Sequence, residues 1–503
     1  YGALGGASTS SENKRNVAIG SSAMSGTNAG AAQNVAIGYA ALDANMTADA
    51  DNNVAIGYYA ASAITGGQGN VAIGKEALLT QANAGANHNV AIGEAALKDM
   101  NGAHTRNIAI GVAALENATT ATTFTDNIAI GAYAFDDSGS NDQTGTIAIG
   151  HNALTALTSG VGNVAIGYKT GKALTSGDAN TAVGFESLYT DDLGMGTTAI
   201  GYRACFYQNS DDSDEYTGNT AVGYAAMHIN VDGQFNTAVG YQALHDMEPT
   251  GDNSGHNTGL GFKAGKYIST GLDNTFVGAN AGEGITGTPI TGSSNVAIGS
   301  SAGVELEGAA HSNTFVGTLA GNTTEAGVEN TCLGYNTEAQ DDTATNQIVI
   351  GNNLTGTKDN AVFIGNDSSH IENDFNSDAT WNHSSDRRQK TDIKDETLGL
   401  EFINDLRPVT YKHKSPSEFP KEWDAYDADD KEPMGGDKTV HGFIAQEVKE
   451  AMDKADVDTF QGWSDGIDGR QRVSFEAMVM PLVKAVQELS AKVEDLEKQL
   501  KDK

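Results

Sequence analysis

A five-residue phrase, Asn-Val-Ala-Ile-Gly and its close variants, recurs along three quarters of this chain and constrains the fold more than any other feature. Eighteen copies lie between Asn16 and Gly334 at spacings of 17 to 22 residues, and two looser copies end at Gly351 and Gly365. A period of this size is typical of a solenoid, in which each repeat forms one coil and stacking of coils buries a core. The sequence therefore predicts a repetitive, mainly β parallel solenoid over residues 1–365, with about 20 coils.

The alternation of side chains along a strand divides each phrase into two faces. In the first copy, Val17 and Ile19 share one face, whereas Asn16, Ala18 and Gly20 share the other. We expect the Val/Ile face to form the core of the coil and the small-residue face to pack against neighbouring subunits. We number the five positions of the phrase as slots one to five. The Gly in the fifth slot is expected at a residue where φ is positive or another backbone approaches closely. The second-slot threonines would then face the core, which argues against an exposed ice-binding array; they include Thr181, Thr198, Thr220 and Thr237.

A second apolar segment follows each Gly and predicts a second short strand per repeat, joined to the first by turns rich in Gly, Asn, Asp and Ser. Aromatic residues often come directly after the Gly. We expect them to pack over the next coil or across subunits, with stacking on glycans as the alternative. These aromatic residues are Tyr39, Tyr58, Tyr168, Phe185, Tyr202, Tyr224, Tyr241 and Phe262.

The period and the repeated phrase resemble the left-handed parallel β-roll of trimeric autotransporter adhesin heads. The repeats here are longer, so the additional residues are expected in outward loops. The resemblance covers residues 16 to about 365. It implies a homotrimer, and it carries no information about a ligand.

Composition restricts the classes of partner and cofactor. The formal net charge is -35, which disfavours binding to nucleic acid or to anionic membranes. Only two cysteines occur, Cys205 and Cys332, so neither a disulfide framework nor a zinc-binding spacing is expected. Cys332 takes the Ala slot of its repeat and is predicted to be a buried free thiol. No apolar stretch approaches the ~20 residues of a membrane span, and we predict neither a metal nor a cofactor.

The sequence changes character near residue 384. Ser385 and Lys390 stand five residues apart, a spacing that could pair a nucleophile with a base, although a solvated charged turn is the alternative. A lysine acts as a base when burial or positive neighbours lower its pKa, and Arg387 and Arg388 are such neighbours.

The phrase Ser385-Asp386-x-Arg388-x-Lys390-x-x-Ile393 resembles the start of the endosialidase-type intramolecular chaperone, a self-cleaving domain at the C-terminus of phage tail fibres and tailspikes. Three further phrases agree with that family in order, at 406–411, 442–448 and 481–489. The resemblance covers 385–503. It implies that Ser385 attacks the Ser384–Ser385 peptide bond with Lys390 as base, in a single turnover and without activity on external substrates.

The predicted organisation is therefore a shaft at 1–365, a linker at 366–384, and a small α+β chaperone domain at 385–503 that ends in a coiled-coil helix at 476–503. The helix has a heptad seam in which Val and Leu alternate, a pattern that favours two strands in model coiled coils, whereas the family resemblance implies three. The seam consists of Leu482, Val486, Leu489, Val493, Leu496 and Leu500.

Together these features predict a structural fibre of a phage or virus, trimeric and extracellular on the virion, and made in the host cytoplasm. Its expected partners are a host cell-surface receptor, for which a glycan is one candidate, and other virion tail proteins bound through a region before Tyr1. A bacterial trimeric adhesin is an alternative, but it would need a C-terminal membrane anchor of alternating strands where this sequence has a charged helix.

A glycan-degrading tailspike is a further alternative, because such enzymes use paired carboxylates. The acidic clusters are expected instead to be solvated or cation-binding loops. They occur at Asp49 and Asp51, Asp136 and Asp137, Asp191 and Asp192, and Asp211, Asp212, Asp214 and Glu215.

Overall fold

The structure is a computed structural model, in which the chain divides into two compact units, Tyr1–Ser384 and Ser385–Lys503. It describes residues 15–27, 29–80, 85–100, 102, 104–117, 124–139, 141–210, 216–247, 255–375, 385–421, 423, 426–433, 437–466 and 470–502.

The strands of the first unit are short, and seventeen of the eighteen copies of the repeated phrase each form a strand of three residues. Longer strands occur only towards its C-terminal end, and a few two-residue strands lie between the repeats in the described part of the unit. The strands are β1 (Val17–Ile19), β2 (Val35–Ile37), β3 (Val54–Ile56), β4 (Val71–Ile73), β5 (Val90–Ile92), β6 (Ile108–Ile110), β7 (Phe124–Thr125), β8 (Ile128–Ile130), β9 (Gln143–Thr144), β10 (Ile147–Ile149), β11 (Val164–Ile166), β12 (Thr181–Val183), β13 (Thr198–Ile200), β14 (Thr220–Val222), β15 (Ile229–Asn230), β16 (Thr237–Val239), β17 (Asp246–Met247), β18 (Thr258–Leu260), β19 (Thr275–Val277), β20 (Val296–Ile298), β21 (Thr314–Val316), β22 (Thr331–Tyr335), β23 (Gln347–Asn352), β24 (Ala361–Asn366) and β25 (Ser369–Asp374).

Each repeat strand pairs in parallel with the equivalent strand of the next coil, slot against slot. Val35 pairs with Val54, for example, and Ile37 with Ile56. This arrangement confirms the predicted parallel solenoid. At the C-terminal end, β25 turns back and pairs antiparallel with β24.

The two faces of the strand are the reverse of those predicted. The third-slot Ala is fully buried in most coils, as in Ala148, whereas Ile147 and Ile149 on either side are only half-buried. The inside of a coil is therefore lined with small residues, together with an Ala and a Leu after the Gly, such as Ala153 and Leu154. A narrow coil has no room for two rows of β-branched side chains, so the Val and Ile side chains point outward.

Two related predictions fail for the same reason. The second-slot threonines, among them Thr181 and Thr220, lie on the outward face and are half-buried rather than core-facing. Val, Ile or Leu occupies the fourth slot in these coils, so Thr-x-Thr pairs do not form there. The predicted second strand is a turn instead, in which the residues two and four after the Gly, such as Asn152 and Leu154, have positive φ values of 56° and 49°. These left-handed residues bend the chain tightly around the coil.

A buried ladder of asparagine side chains links the coils at the start of each strand. The Asn53 backbone N–H donates to Asn34 Oδ1 at 2.8 Å, and the Asn53 side-chain amide donates to the Gly67 carbonyl at 2.8 Å. The same bonds recur along the unit, and the ladder is interrupted where Thr146 and Thr197 replace Asn. Because these amides are buried, their bonding satisfies groups that would otherwise destabilise the coil.

Late in the unit, large third-slot residues replace Ala without opening the coil. Phe276 and Phe315 are fully buried. Glycines occupy the facing sites, since a Cβ on Gly282 would lie 2.3 Å from the Phe276 ring and one on Gly321 would lie 2.6 Å from Phe315. The ring thus fills volume that Leu occupies in other coils. Cys332 is buried as a free thiol, as predicted.

The second unit is a small α+β structure around an apolar core. Its helices are α1 (Leu400–Asp405), α2 (Ala445–Lys454) and α3 (Val479–Lys501), with short 3-10 helices at Arg387–Gln389, Pro416–Glu418 and Glu476–Met478. Two antiparallel pairs join β26 (Val409–Tyr411) to β27 (Val440–Gly442) and β28 (Trp463–Asp465) to β29 (Gln471–Val473). The core is formed by Leu398, Phe402, Leu406, Val448, Ala451, Met452 and Met478.

Candidate active site

The side chains of Ser385 and Lys390 meet at the start of the second unit. Lys390 Nζ donates a hydrogen bond to Ser385 Oγ at 2.5 Å. One turn of 3-10 helix, Arg387–Gln389, lies between them and folds the lysine back onto the serine. The predicted nucleophile and base are therefore within hydrogen-bonding distance, while Ser384, on the other side of the predicted scissile bond, lies outside the described residues.

Asp386 holds this turn in shape. Its side chain accepts a hydrogen bond from the Arg388 backbone N–H at 2.8 Å, and it forms an ion pair with the Arg388 guanidinium at 2.6 Å. That guanidinium lowers the pKa of the Asp386 carboxyl, so the carboxylate stays ionised. Asp386 and Arg388 therefore serve the geometry of the turn, which explains why the phrase contains both residues.

The serine–lysine pair is open to solvent, as is the rest of the segment through Thr397. A lysine serves as a base where burial or positive neighbours favour its neutral form. The arrangement thus has the geometry of a nucleophile and base, and it lacks the water exclusion that would make the base effective.

The segment that carries the pair is fixed at α1. Leu398 is buried in the core, and the Leu400 backbone N–H donates to Glu488 Oε2 of α3 at 2.9 Å. Gly399 provides no side-chain cap for α1, and a Cβ there would lie 2.5 Å from the Glu488 carboxylate. Glu488 therefore caps α1 from a distant helix.

The family-like phrases meet in space. Arg407, from the second phrase, donates through Nε to Glu447 Oε2 at 3.1 Å, and Glu447 belongs to the third phrase. The strands β26 and β27 next to these residues pair directly. Sequence reasoning did not find the roles of Glu488 and Arg407, although their charges inside otherwise apolar phrases are a signal that could have indicated them.

The seam of α3 faces solvent. Its six residues are exposed by 47% to 73%, from Leu482 at the start of the seam to Leu500 at its end. The row of Val and Leu therefore forms an exposed apolar surface along the helix.

Two carboxylates of the acidic clusters, Asp191 and Asp51, accept hydrogen bonds that join coils of the solenoid. Asp191 is buried and accepts hydrogen bonds from Gln208 Nε2 at 2.6 Å and from Ser210 Oγ at 3.1 Å, and burial raises the pKa of its carboxyl. Asp51 accepts from the Ala32 backbone N–H at 2.6 Å. The cluster at 211–215 lies outside the described residues.

A metal-binding cluster and a membrane-spanning helix are both absent from the described residues. No group of three or more His, Cys, Asp or Glu side chains in them could hold a metal ion. Nor does any helix among them have both the length and the apolar character to cross a membrane.

Comparison with known families gives one match. The family model described as chaperone of endosialidase matches residues 385–457, which begin at the candidate nucleophile and end just after α2. No curated protein matches the sequence.

Proposed function

We propose that this protein is a trimeric tail fibre or tailspike shaft of a phage, and that its C-terminal module directs assembly and then cleaves itself off between Ser384 and Ser385. The observation that carries the proposal is the 2.5 Å contact of Lys390 Nζ with Ser385 Oγ at the first residues of the match to the chaperone of endosialidase family. The parallel solenoid before it is the kind of shaft that such a module would fold.

The chemistry follows from the serine and lysine. Neutral Lys390 takes the proton of Ser385 Oγ, and the oxygen attacks the carbonyl carbon of Ser384. The tetrahedral intermediate collapses by breaking the C–N bond, and the Lys390 ammonium returns its proton to the leaving Ser385 amine. The resulting ester between the Ser384 carbonyl and Ser385 Oγ is then hydrolysed by water. Two chains are released, the first ending at Ser384 and the second beginning at Ser385.

Exposure of the pair in the single chain supports a delay in this reaction until assembly. A partner subunit that covers Lys390 would disfavour its ammonium and so generate the base. Cleavage would then follow trimer formation, and an unassembled chain would keep its module.

Two exposed apolar surfaces support the trimer. The outward Val/Ile face of the solenoid runs along the parallel strands, with Ile200 and Ile298 exposed by 38% and 40%. The seam of α3 is the second surface. Association of three copies would bury each of these surfaces, which a single chain leaves in water.

This proposal includes attachment to a host cell-surface receptor and location on the virion, as expected for a tail fibre. The trimeric bacterial adhesin and the glycan-degrading tailspike remain alternatives that no structural observation favours. In a glycan-degrading tailspike, a catalytic carboxylate would have to reach the glycan. The Asp191 carboxylate is buried and hydrogen-bonded, which argues against such a role for this residue.

The test is mass spectrometry of the purified protein with light scattering of the same sample. The wild-type protein should yield a fragment that begins at Ser385, whereas Ser385→Ala and Lys390→Ala should each remain full length. The uncleaved variants should have about three times the chain mass of 52.1 kDa. Normal cleavage in both variants would refute the proposed pair, and a folded monomer would refute the trimer.

A further inference from the structure

A continuous column of stacked rings runs along the middle of the solenoid. Seven successive coils carry an aromatic residue directly after the motif Gly. The ring centroids of neighbouring coils are 4.9 to 5.6 Å apart, with interplanar angles of 6° to 21°. We call this set the aromatic column; it consists of His151, Tyr168, Phe185, Tyr202, Tyr224, Tyr241 and Phe262.

The column presents ring edges to solvent rather than ring faces. Each inner ring has a neighbour on both faces, yet Tyr202 and Tyr224 are still 38% and 47% exposed. A sugar stacks on a ring face, so the inner rings offer no platform for a glycan. Exposed aromatic edges instead suit packing against another protein surface, where rings contribute large apolar area.

Part of the aromatic column coincides with a change on the outward face of the strand. The five coils that carry Phe185 to Phe262 have Thr in the second slot, whereas the two preceding coils of the column, which carry His151 and Tyr168, have Ile147 and Val164 there. We call these five residues the Thr column: Thr181, Thr198, Thr220, Thr237 and Thr258.

Packing within one chain does not explain this coincidence. In a coil such as β14, Thr220 lies at the start of the strand, and Tyr224 follows the Gly beyond its end. Four residues along an extended segment span on the order of 13 Å, so the ring does not compete with its own Thr for space.

Rotational symmetry brings the two columns together in a trimer. Consider three parallel copies that turn their Val/Ile faces towards a threefold axis. In each copy the strands then run from the Asn end to the Gly end in the same rotational sense around that axis. The Gly end of one copy must then meet the Asn end of the next, which is a heterologous contact. We propose that the five rings from Phe185 to Phe262 of one subunit pack against the Thr column of the next. This inference rests on the proposed trimer.

Cysteine cross-linking tests the contact in the full chain. Tyr224→Cys is combined in turn with Thr198→Cys, Thr220→Cys and Thr237→Cys, because neighbouring subunits can be offset by one coil. Oxidation of at least one double variant should give a covalently closed trimer on a non-reducing denaturing gel. The single variants are the controls and should give no cross-linked species, and a disulfide within one chain would migrate as a monomer.

The unmodified protein provides an independent measurement. Hydroxyl-radical labelling should modify Tyr202, Tyr224 and Tyr241 several-fold less than Tyr207, which is 48% exposed in the single chain and lies outside both columns. Equal labelling of these tyrosines would overturn the proposal, even if the cysteine variants failed to fold.

The outcomes separate this inference from the proposed trimer. A trimer by light scattering without any cross-link in the three double variants refutes the contact alone. Cross-linked dimers from the single Tyr224→Cys variant would show that two aromatic columns meet each other, which also overturns it. A folded monomer refutes the trimer and the contact together.

Discussion

At the scale of single residues, the fifth-slot Gly is required for two separate reasons. Gly150 has a φ of +139°, and a Cβ at this position would lie 2.1 Å from the carbonyl oxygen of Gly167 in the next coil. The stacked backbones therefore leave no space for a side chain, in addition to the conformational requirement.

Gly150→Ala is predicted to destabilise the solenoid much more than Gly162→Ala. Gly162 also has a positive φ, of +67°, but a Cβ there meets nothing within 4 Å, so it should cost only the ~1–2 kcal/mol of a left-handed residue. Denaturant unfolding of the two variants, each combined with Ser385→Ala to prevent cleavage, measures the difference. Equal losses for the two variants would show that close stacking of the backbones contributes nothing.

A second residue-scale feature is a buried carboxylate near the C-terminal end of the solenoid. Glu338 is 7% exposed, and burial raises the pKa of its carboxyl to about 7, although the Asn322 and Thr323 backbone N–H groups donate to it. The folded chain thus binds this proton more tightly than the unfolded chain does. Its stabilising contribution is complete below pH 4.5 and is lost as the pH rises towards 7.

We therefore predict that Glu338→Gln reduces the loss of unfolding free energy between pH 5 and pH 8, by up to about 3 kcal/mol per chain. Other carboxylates of this acidic chain also titrate, so the matched control is Glu329→Gln, which removes an exposed charge nearby. The measurement is denaturant unfolding at both pH values. Identical pH dependence in the two variants would contradict the role given to Glu338.

At the scale of elements, α1 depends on a cap supplied by α3. Glu488→Ala removes the acceptor of the Leu400 N–H and should destabilise α1 by about 1–2 kcal/mol, since loss of an N-terminal cap typically has this effect. Hydrogen exchange at residues 400–405 should become roughly tenfold faster. Glu488→Gln, which keeps an acceptor oxygen, should exchange more slowly than Glu488→Ala.

The control for this prediction is Glu494→Ala, which removes an exposed carboxylate from the same helix. If Glu488→Ala and Glu494→Ala gave the same exchange rates at α1, the cap would have no energetic role.

The repeat elements also show what their sequence could predict. The phrase predicted that equivalent positions of successive strands pair in parallel. It also predicted a positive φ or a close backbone contact at the Gly, because both features follow from the local pattern. It did not predict which face is inside. Alternation shows that Ile147 and Ile149 share a face, and their apolar character suggested a core, but the narrow coil accepts only residues such as Ala148. Apolar residues on an outer face are informative about a partner rather than about the chain itself.

The candidate site was predictable to a similar extent. Ser385 and Lys390 are five residues apart, so one local turn determines their contact. Arg407 and Glu447 are 40 residues apart, and Leu400 and Glu488 are 88 apart. Such contacts depend on how helices and strands pack, which the spacing of residues within a phrase does not encode.

At the scale of the whole molecule, we propose that the C-terminal module directs folding and that the solenoid alone maintains the finished fibre. Parallel coils make mostly non-local contacts, and such topologies fold slowly with unpaired edges exposed. Nearly identical coils also specify their register weakly, because a slip by one repeat still pairs Val with Val. A module that aligns three chains first would remove this ambiguity.

The solenoid has its own closure at the C-terminal end. The antiparallel strand β25 covers the edge of β24, and it lies on the shaft side of the proposed cleavage site. After cleavage the shaft would keep this strand together with its buried contacts between coils.

The most direct test of the account compares two shafts of identical sequence and different history. One is released from the full chain by self-cleavage, and the other is expressed as residues 1–384 without the module. Solubility, light scattering and thermal unfolding are measured on both. The account predicts that the released shaft is a soluble, heat-resistant trimer and that the truncated chain aggregates. A truncated chain that assembles unaided into the same heat-resistant trimer would contradict it.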